Sequence, residues 1–212
     1  MRPSNKPPKA PPSFVVIAEG ETEMWYFEML RQNESAVRVA IRPQIPHKKK
    51  IEDQRELVQN HSEIYDKVFW IVDLDAILGD SKQVKKGKET PLDKFKKYAK
   101  EFESNKKVEI IVNNPCLEFW FLLHFEKTSK CFTRCDDVVM QLKLKTRLPG
   151  YEKTQRFFKK PDNDIYIKLK EKQQDARNHS KALGKFDCNE PERAMCEMES
   201  FFNLLDQQRG RN

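Results

Sequence analysis

The sequence predicts an α/β fold, with a parallel sheet of about four strands flanked by helices and a helical C-terminal extension. Two observations predict it. Between residues 14 and 125, short β-branched apolar runs alternate with helical stretches in the order strand, helix, strand, helix, strand, helix, strand, which is the pattern of a parallel sheet with helical crossovers. Beyond that point strand-like runs stop and helical periodicity takes over.

The first strand is Phe14-Val15-Val16-Ile17-Ala18, continuous and apolar as expected of a strand covered on both faces. It breaks at Glu19-Gly20-Glu21-Thr22-Glu23, where Gly20 permits a tight turn and Thr22 is placed to cap a helix through residues 24–30. Residues 37–41 alternate as a half-exposed second strand, with Pro43 and Pro46 expected to close it. A polar helix is expected over 50–64. Residues 67–72 form the third strand, ending in Asp73-Leu74-Asp75. Residues 76–90 are Lys-rich, contain Gly79 and Gly87, and read as a mobile loop.

Pro91 opens a helix striped by Phe95, Tyr98, Ala99 and Phe102. Residues 108–112 are the fourth strand, and Asn113-Asn114-Pro115 turns the chain into an apolar helix over 116–125. The remainder reads as wholly helical, over about 136–145, 164–183 and 190–207. The expected organisation is a basic, Pro-rich disordered arm over 1–13, an α/β core over 14–126 and a helical extension over 127–212 packed on it, making one domain from 14 to 205.

The 14 Phe and 3 Trp among 212 residues supply too much aromatic mass for a disordered chain. A net charge of +7 favours approach to a polyanion, although solvated lysines give the same total without any such role. No apolar run approaches the ~20 residues that a bilayer requires, and the N-terminus lacks a secretory h-region, so no membrane partner and a cytoplasmic location are expected. The five cysteines are irregularly spaced. Cys131, Cys135 and nearby His124 lack the fourth ligand of a structural zinc, so reduced, mostly buried thiols are expected.

Ligands of open parallel sheets gather at the carboxyl ends of the strands. Here those ends carry Glu19, the Asp73/Asp75 pair, and Asn113 with Asn114. Carboxylates meeting at one point repel unless a cation joins them, and Mg²⁺ takes such oxygen ligands together with water and substrate phosphate. Each acidic residue taken alone is equally suited to capping a helix or forming a turn. Glu118, in the first turn of a very apolar helix, is either functional or a cap for backbone amides. His124 either faces the same pocket or pairs with a core carbonyl.

The stretch from Val15 through Glu23 resembles the Glu-Gly-x-x-Glu element of Toprim domains in nucleases of the overcoming-lysogenization-defect type. Phe69-Trp70-Ile71-Val72-Asp73-Leu74-Asp75 is similar to the Toprim Asp-x-Asp motif. Asn113-Asn114-Pro115-Cys116-Leu117-Glu118-Phe119-Trp120, continuing to His124-Phe125, resembles the hallmark of the RloB-like family, whose bacterial members carry a Toprim-like domain and are associated with phage defence and abortive infection. Tyr151-Glu152-Lys153 and the last helix also fit that layout. The resemblance spans about residues 14–205, with Gly20, Asn114, Pro115 and Trp120 as motif positions.

The resemblance implies a Mg²⁺- or Mn²⁺-dependent nuclease acting on DNA or RNA, and it admits a partner ATPase. Under it, Glu19, Glu23, Asp73 and Asp75 hold metal, and Glu19, with Glu118 and His124 as further candidates, acts in catalysis; two metals would clamp the attacking and leaving oxygens, and one-metal chemistry stays open beside it. A Toprim-fold binding or regulatory module without turnover is the alternative. Nucleotidyl transfer or strand passage is disfavoured by the lack of a nucleophilic-tyrosine domain or zinc ribbon. Of the Lys-rich segments at 48–50, 82–88, 94–100, 143–147 and 156–160, the one carrying Lys82, Lys85, Lys86 and Lys88 leaves the Asp73/Asp75 end of the sheet and is the expected nucleic-acid contact.

Overall fold

The computed structural model describes residues 12–34, 40–44 and 50–209. Along the chain run β1 (Ser13–Ile17), α1 (Glu21–Asn33), β2 (Ala40–Gln44), α2 (Ile51–Ile64), β3 (Lys67–Asp73), α3 (Leu74–Lys82), α4 (Pro91–Phe102) and β4 (Val108–Asn114). After these come α5 (Leu117–Leu123), α6 (Cys135–Leu142), α7 (Gln155–Phe158), α8 (Ile165–Lys170), α9 (Gln173–Leu183), β5 (Met195–Cys196) and α10 (Met198–Arg209).

The sheet order is β2-β1-β3-β4-β5. β1 pairs in parallel with both β2 and β3, β3 pairs in parallel with β4, and β5 is a short antiparallel edge. The α/β class expected from the sequence is therefore borne out. The chain leaves β1 toward one side for β2 and returns to the other side for β3, so a topological switch point lies between the carboxyl ends of β1 and β3.

Alternation along the strands explains why both faces are covered. Phe14, Val16, Phe69 and Ile71 enter one apolar cluster with residues of α1, α5 and α10. Val15, Ile17, Val68, Trp70 and Val72 enter a second with residues of α2, α3 and α4. Successive side chains of a strand point to opposite faces, so a run apolar at every position feeds two cores at once.

Several expectations require correction. The supposed loop over 76–90 begins as α3, because Leu74 and Ile77 lie one turn apart and both are buried on the second cluster. Gly20, not Thr22, occupies the N-cap of α1, and Thr22 lies inside the helix. β2 runs through Pro43, which sits opposite Val16; an edge strand tolerates proline because its outer N–H has no partner to lose. The expected strand positions 37–39, the arm over 1–11, Lys48 and Lys49 fall outside the described residues.

The C-terminal part is not wholly helical. Residues 190–197 contain turns and β5, which completes the sheet beside Asn113 and Asn114. The helix expected over 164–183 is two helices, α8 and α9. The thiols also differ from expectation: Cys116 and Cys135 form a disulfide, Cys131 and Cys188 are exposed, and only Cys196 is a buried free thiol among the described residues. A separation of 19 residues offers no local signal for that pairing, which arises only when α6 folds back onto α5.

Candidate functional site

The switch point is where the acidic side chains meet. Asp73 closes β3 opposite Asn113 of β4, and Asp75 follows in the first turn of α3. Glu19 lies just past β1, and Glu23 is buried in the first turn of α1. Gly20 separates these two glutamates. A Cβ at position 20 would sit 2.9 Å from Oε2 of Glu23, so the absent side chain is what lets that carboxylate fold back over the turn. Glu118, only 1% exposed, enters from the first turn of α5.

Backbone and amide donors hold each aspartate. Asp73 accepts the Leu117 N–H on Oδ2 at 3.2 Å and the Asn113 amide on Oδ1 at 3.4 Å. Asp75 accepts the Ala76 N–H on Oδ1 at 2.8 Å and the Cys135 N–H on Oδ2 at 3.3 Å. The Asp75 N–H bonds the carbonyl of Pro115, which follows a cis Asn114–Pro115 peptide. Gln54 bridges the core to the site, taking the Trp70 indole N–H at 2.8 Å and donating to Oε1 of Glu19 at 3.3 Å.

Glu118 is bound by Tyr151, whose hydroxyl donates to Oε1 at 2.8 Å, and by Lys153, whose Nζ lies 2.9 Å from the same oxygen. Lys153 thus reaches the buried end of the site from an irregular segment.

The electrostatics tie these groups into one cluster. Burial pushes the Asp73 carboxyl well above its usual range, and Glu23, Glu19, Glu118 and Asp75 push it further, so five carboxylates share one field. Burial, followed by Glu118, pushes Glu23 to about 7, against its own and the Gly20 backbone hydrogen bonds and the charge of Lys153. Burial also raises Asp75, opposed by its two N–H donors and by Lys153. Burial works against the Lys153 charge, but Glu118, Glu23 and Asp73 outweigh it and hold the ammonium above its ordinary value.

Glu19, Glu23, Asp75 and Glu118 lie within electrostatic reach of Asp73, but among the described residues the three ligand atoms that stand within 4.8 Å of one another are those of Cys116, Glu118 and Cys135, not those of the four predicted metal-holding carboxylates. His124 is elsewhere, at the far end of α5 from Glu118. Its Nδ1 contacts the Trp120 carbonyl at 2.9 Å, its ring packs edge-on against Trp120, and burial pushes its pKa down to about 3. Its surroundings are those of the core-pairing alternative. Trp120 is likewise a core group, donating its indole N–H to the Tyr26 hydroxyl at 2.9 Å.

Asn114 braces the loop before β5, donating to the carbonyls of Pro191 and Arg193. Beside Asp75 lies an open cavity of about 510 Å³ lined also by Lys82, Asn114, Phe132 and Arg193. Lys82 pairs with Glu192 at 3.3 Å on this rim, whereas Lys85, Lys86 and Lys88 are exposed on the turn beyond α3 and do not line the cavity. In the other Lys-rich segments, Lys94 pairs with Glu52, Arg147 with Glu126 and Lys159 with Glu28.

The profile of the RloB-like protein family matches residues 14–205, most of the chain. The chain belongs to the RloB-like family. No curated protein and no solved structure matches it. Within this RloB-like chain, the Asn-Pro-Cys-x-Glu stretch has a local physical purpose. Asn114 anchors the β5 loop, Pro115 accepts from Asp75, the N–H of Leu117 reaches Asp73 and Glu118 enters the cluster.

Sequence reasoning gave Gln54 no role, weighed Cys135 only beside Cys131 and His124 before expecting a reduced thiol, and placed Lys153 only in the family layout without a function. Gln54 lies in a polar helix among residues of the same character, and its partners Glu19 and Trp70 are fixed only by tertiary packing. Lys153 is one of 40 Lys and Arg residues, and nothing in its local spacing marks it as the one reaching Glu118. Among the described residues no helix is long and apolar enough to cross a membrane.

Proposed function

We propose that this chain is a divalent-cation-dependent phosphodiesterase acting on nucleic acid, and that Glu19, Glu23, Asp73 and Asp75 hold Mg²⁺ or Mn²⁺. The observation that carries this reading is that four further carboxylates, Glu23, Glu19, Glu118 and Asp75, act electrostatically on the buried Asp73 at the switch point, with Lys153 as the facing cation. Such a cluster is costly when empty of metal, because burial and mutual repulsion both disfavour its ionised form.

The donor set offers a hard cation the oxygen it prefers, and a bound cation would have to draw the groups together, because among the described residues no three of these carboxylates stand within 4.8 Å of one another. It consists of carboxylate oxygens, together with Oδ1 of Asn113, a buried acceptor with no hydrogen-bond partner beside Asp73. When bound, the metal would polarise a phosphoryl oxygen and favour ionisation of an attacking water.

The chain's own groups supply the rest. Glu19, steadied by Gln54, is placed to accept a proton from water. Asp73 and Asp75 are fixed by backbone N–H groups, so little reorganisation is needed on binding. Lys153, drawn toward Glu118, is placed to offset charge on a substrate phosphate. The cavity beside Asp75 has the size to admit a nucleotide next to the scissile bond, and its two cations, Lys82 and Arg193, would have to leave Glu192 and Glu190 to meet a phosphate. The net charge of +7 favours the encounter. Membership of the RloB-like family supports a role in bacterial phage defence, with a partner ATPase as the companion activity.

One observation favours a second reading, a Toprim-fold binding or regulatory module without turnover. Both oxygens of Asp73 and both of Asp75 already accept protein donors. Incubation with plasmid, single-stranded DNA and tRNA, each with Mg²⁺, Mn²⁺ or chelator, separates the two. Metal-dependent cleavage that is lost on replacing Asp73 and Asp75 together by Ala supports the enzyme. Binding without cleavage in the parent protein supports the module.

A further inference from the structure

We propose that the Cys116–Cys135 pair, once reduced, joins Glu118 in a site for a thiophilic divalent cation such as Zn²⁺, so that the redox state of these two sulfurs decides which metals the centre accepts. The ligand atoms of Cys116, Glu118 and Cys135 all lie within 4.8 Å of one another. The Cys135 sulfur is 3.0 Å from Oε2 of Glu118, while Oε1 of the same carboxylate is the oxygen held by Tyr151 and Lys153. One face of Glu118 is thus turned to the protein's own donors and the other to sulfur.

With the disulfide closed, the sulfurs are spent on each other and the centre presents oxygen ligands alone. A phosphine supplies the two electrons that break the S–S bond, and water supplies the oxygen of the resulting phosphine oxide and the protons of the two thiols. Metal binding then releases the two thiol protons to solvent and leaves two thiolates on the cation. Two Zn–S bonds of ~2.3 Å at a tetrahedral angle require sulfurs ~3.7 Å apart. The Cα atoms stand 5.7 Å apart, and one of the two cysteines, Cys135, opens α6 at a partly exposed position, so side-chain rotation there can provide the separation. Two thiolates and a carboxylate leave a fourth position for water, the ligand count of an open zinc site.

Lys153 must move for this to happen, since its Nζ lies 3.3 Å from the Cys135 sulfur and 2.9 Å from Glu118. Its side chain is 45% exposed and can swing outward. Because Glu118 acts electrostatically on Asp73, a cation held on sulfur and Glu118 alters the field at the oxygen cluster without sharing its proposed ligands. The sulfur site stands or falls separately from phosphodiester hydrolysis.

The test uses the full chain with Cys131 and Cys188, both exposed, replaced by Ser. Cd²⁺ is titrated into phosphine-reduced and into disulfide-closed protein while sulfur-to-cadmium absorption is followed in the ultraviolet. One equivalent bound with that absorption in the reduced protein, none in the oxidised, is the expected result. Cys135→Ser and Glu118→Gln should each weaken cadmium binding about tenfold or more. Equal signals in the two redox states, or no sulfur-to-cadmium absorption after reduction, overturns the proposal. The redox comparison needs no substitution in the site, so it decides the matter even if a variant fails to fold. Mn²⁺ at the oxygen cluster is read independently by its paramagnetic resonance, which keeps failure of the phosphodiesterase reading distinct from failure of the sulfur site.

Discussion

Lys153 extends its ammonium to within 2.9 Å of Oε1 of Glu118, a carboxylate that is almost fully buried and also holds the Tyr151 hydroxyl on the same oxygen. This places a half-exposed cation from the segment between α6 and α7 against a carboxylate that acts electrostatically on Asp73 at the end of β3. Replacing Lys153 by Met leaves Glu118 with Tyr151 alone. Removing one partner of a fully buried pair costs about 3–5 kcal/mol, and because the lysine is half exposed the expected loss is smaller, about 1–2 kcal/mol. Denaturant unfolding of the metal-free protein measures it. A divalent cation should restore most of the loss, since it supplies the missing positive charge.

Glu23 gives the pH dependence of the metal-free protein. Its pKa is raised to about 7 in the folded state against 4.5 ordinarily, chiefly by burial and then by Glu118. The folded state therefore binds the proton more tightly, and the stability this contributes is complete below about pH 4.5 and lost as pH rises through 7. Glu23→Gln should remove that loss and raise the unfolding free energy at pH 8 by roughly 1–3 kcal/mol, with little change at pH 4.5. Thermal unfolding of the two proteins across that range checks it.

His124 has the opposite sign. Burial depresses its pKa from 6.5 to about 3, so the unfolded chain takes up a proton that the folded protein refuses. The stability from keeping this ring neutral is fully present above 6.5 and declines as pH falls toward 3. His124→Gln should flatten the decline between those values, read by denaturant midpoints at fixed pH steps. An unaltered slope removes His124 as its source.

Gly20→Ala probes the turn between the two glutamates. The new Cβ meets Oε2 of Glu23 at 2.9 Å, and a side-chain end can yield, so the stability change should stay within about 1 kcal/mol. The displaced carboxylate should nevertheless weaken Mn²⁺ binding by several-fold. Calorimetric titration of Mn²⁺ into both proteins reports it.

The doubly covered strands were legible because their burial pattern is written in every residue. Phe14 through Ile17 and Val68 through Val72 feed apolar clusters on both sides, which no amphipathic helix could do. The acidic strand ends were equally plain, since Glu19 and Asp73 follow directly on those runs. α3 was hidden because its buried face amounts to little more than Leu74 and Ile77, in a segment that ends among lysines and glycine. β5 escaped because two residues carry no periodicity and pair only with the distant Asn113 and Asn114. Lys153, Gln54 and the Cys116–Cys135 bond depend on contacts across long sequence separations, and their local neighbours announce none of them.

The most direct measurement is Mn²⁺ binding by paramagnetic resonance to the purified chain, compared with Glu19→Gln and with Asp73→Ala. If the β1 and β3 ends hold one cation between them, each substitution alone should weaken binding about tenfold or more. Binding that is unchanged in Glu19→Gln while lost in Asp73→Ala contradicts a shared ion, and no binding in the parent protein contradicts the metal centre altogether.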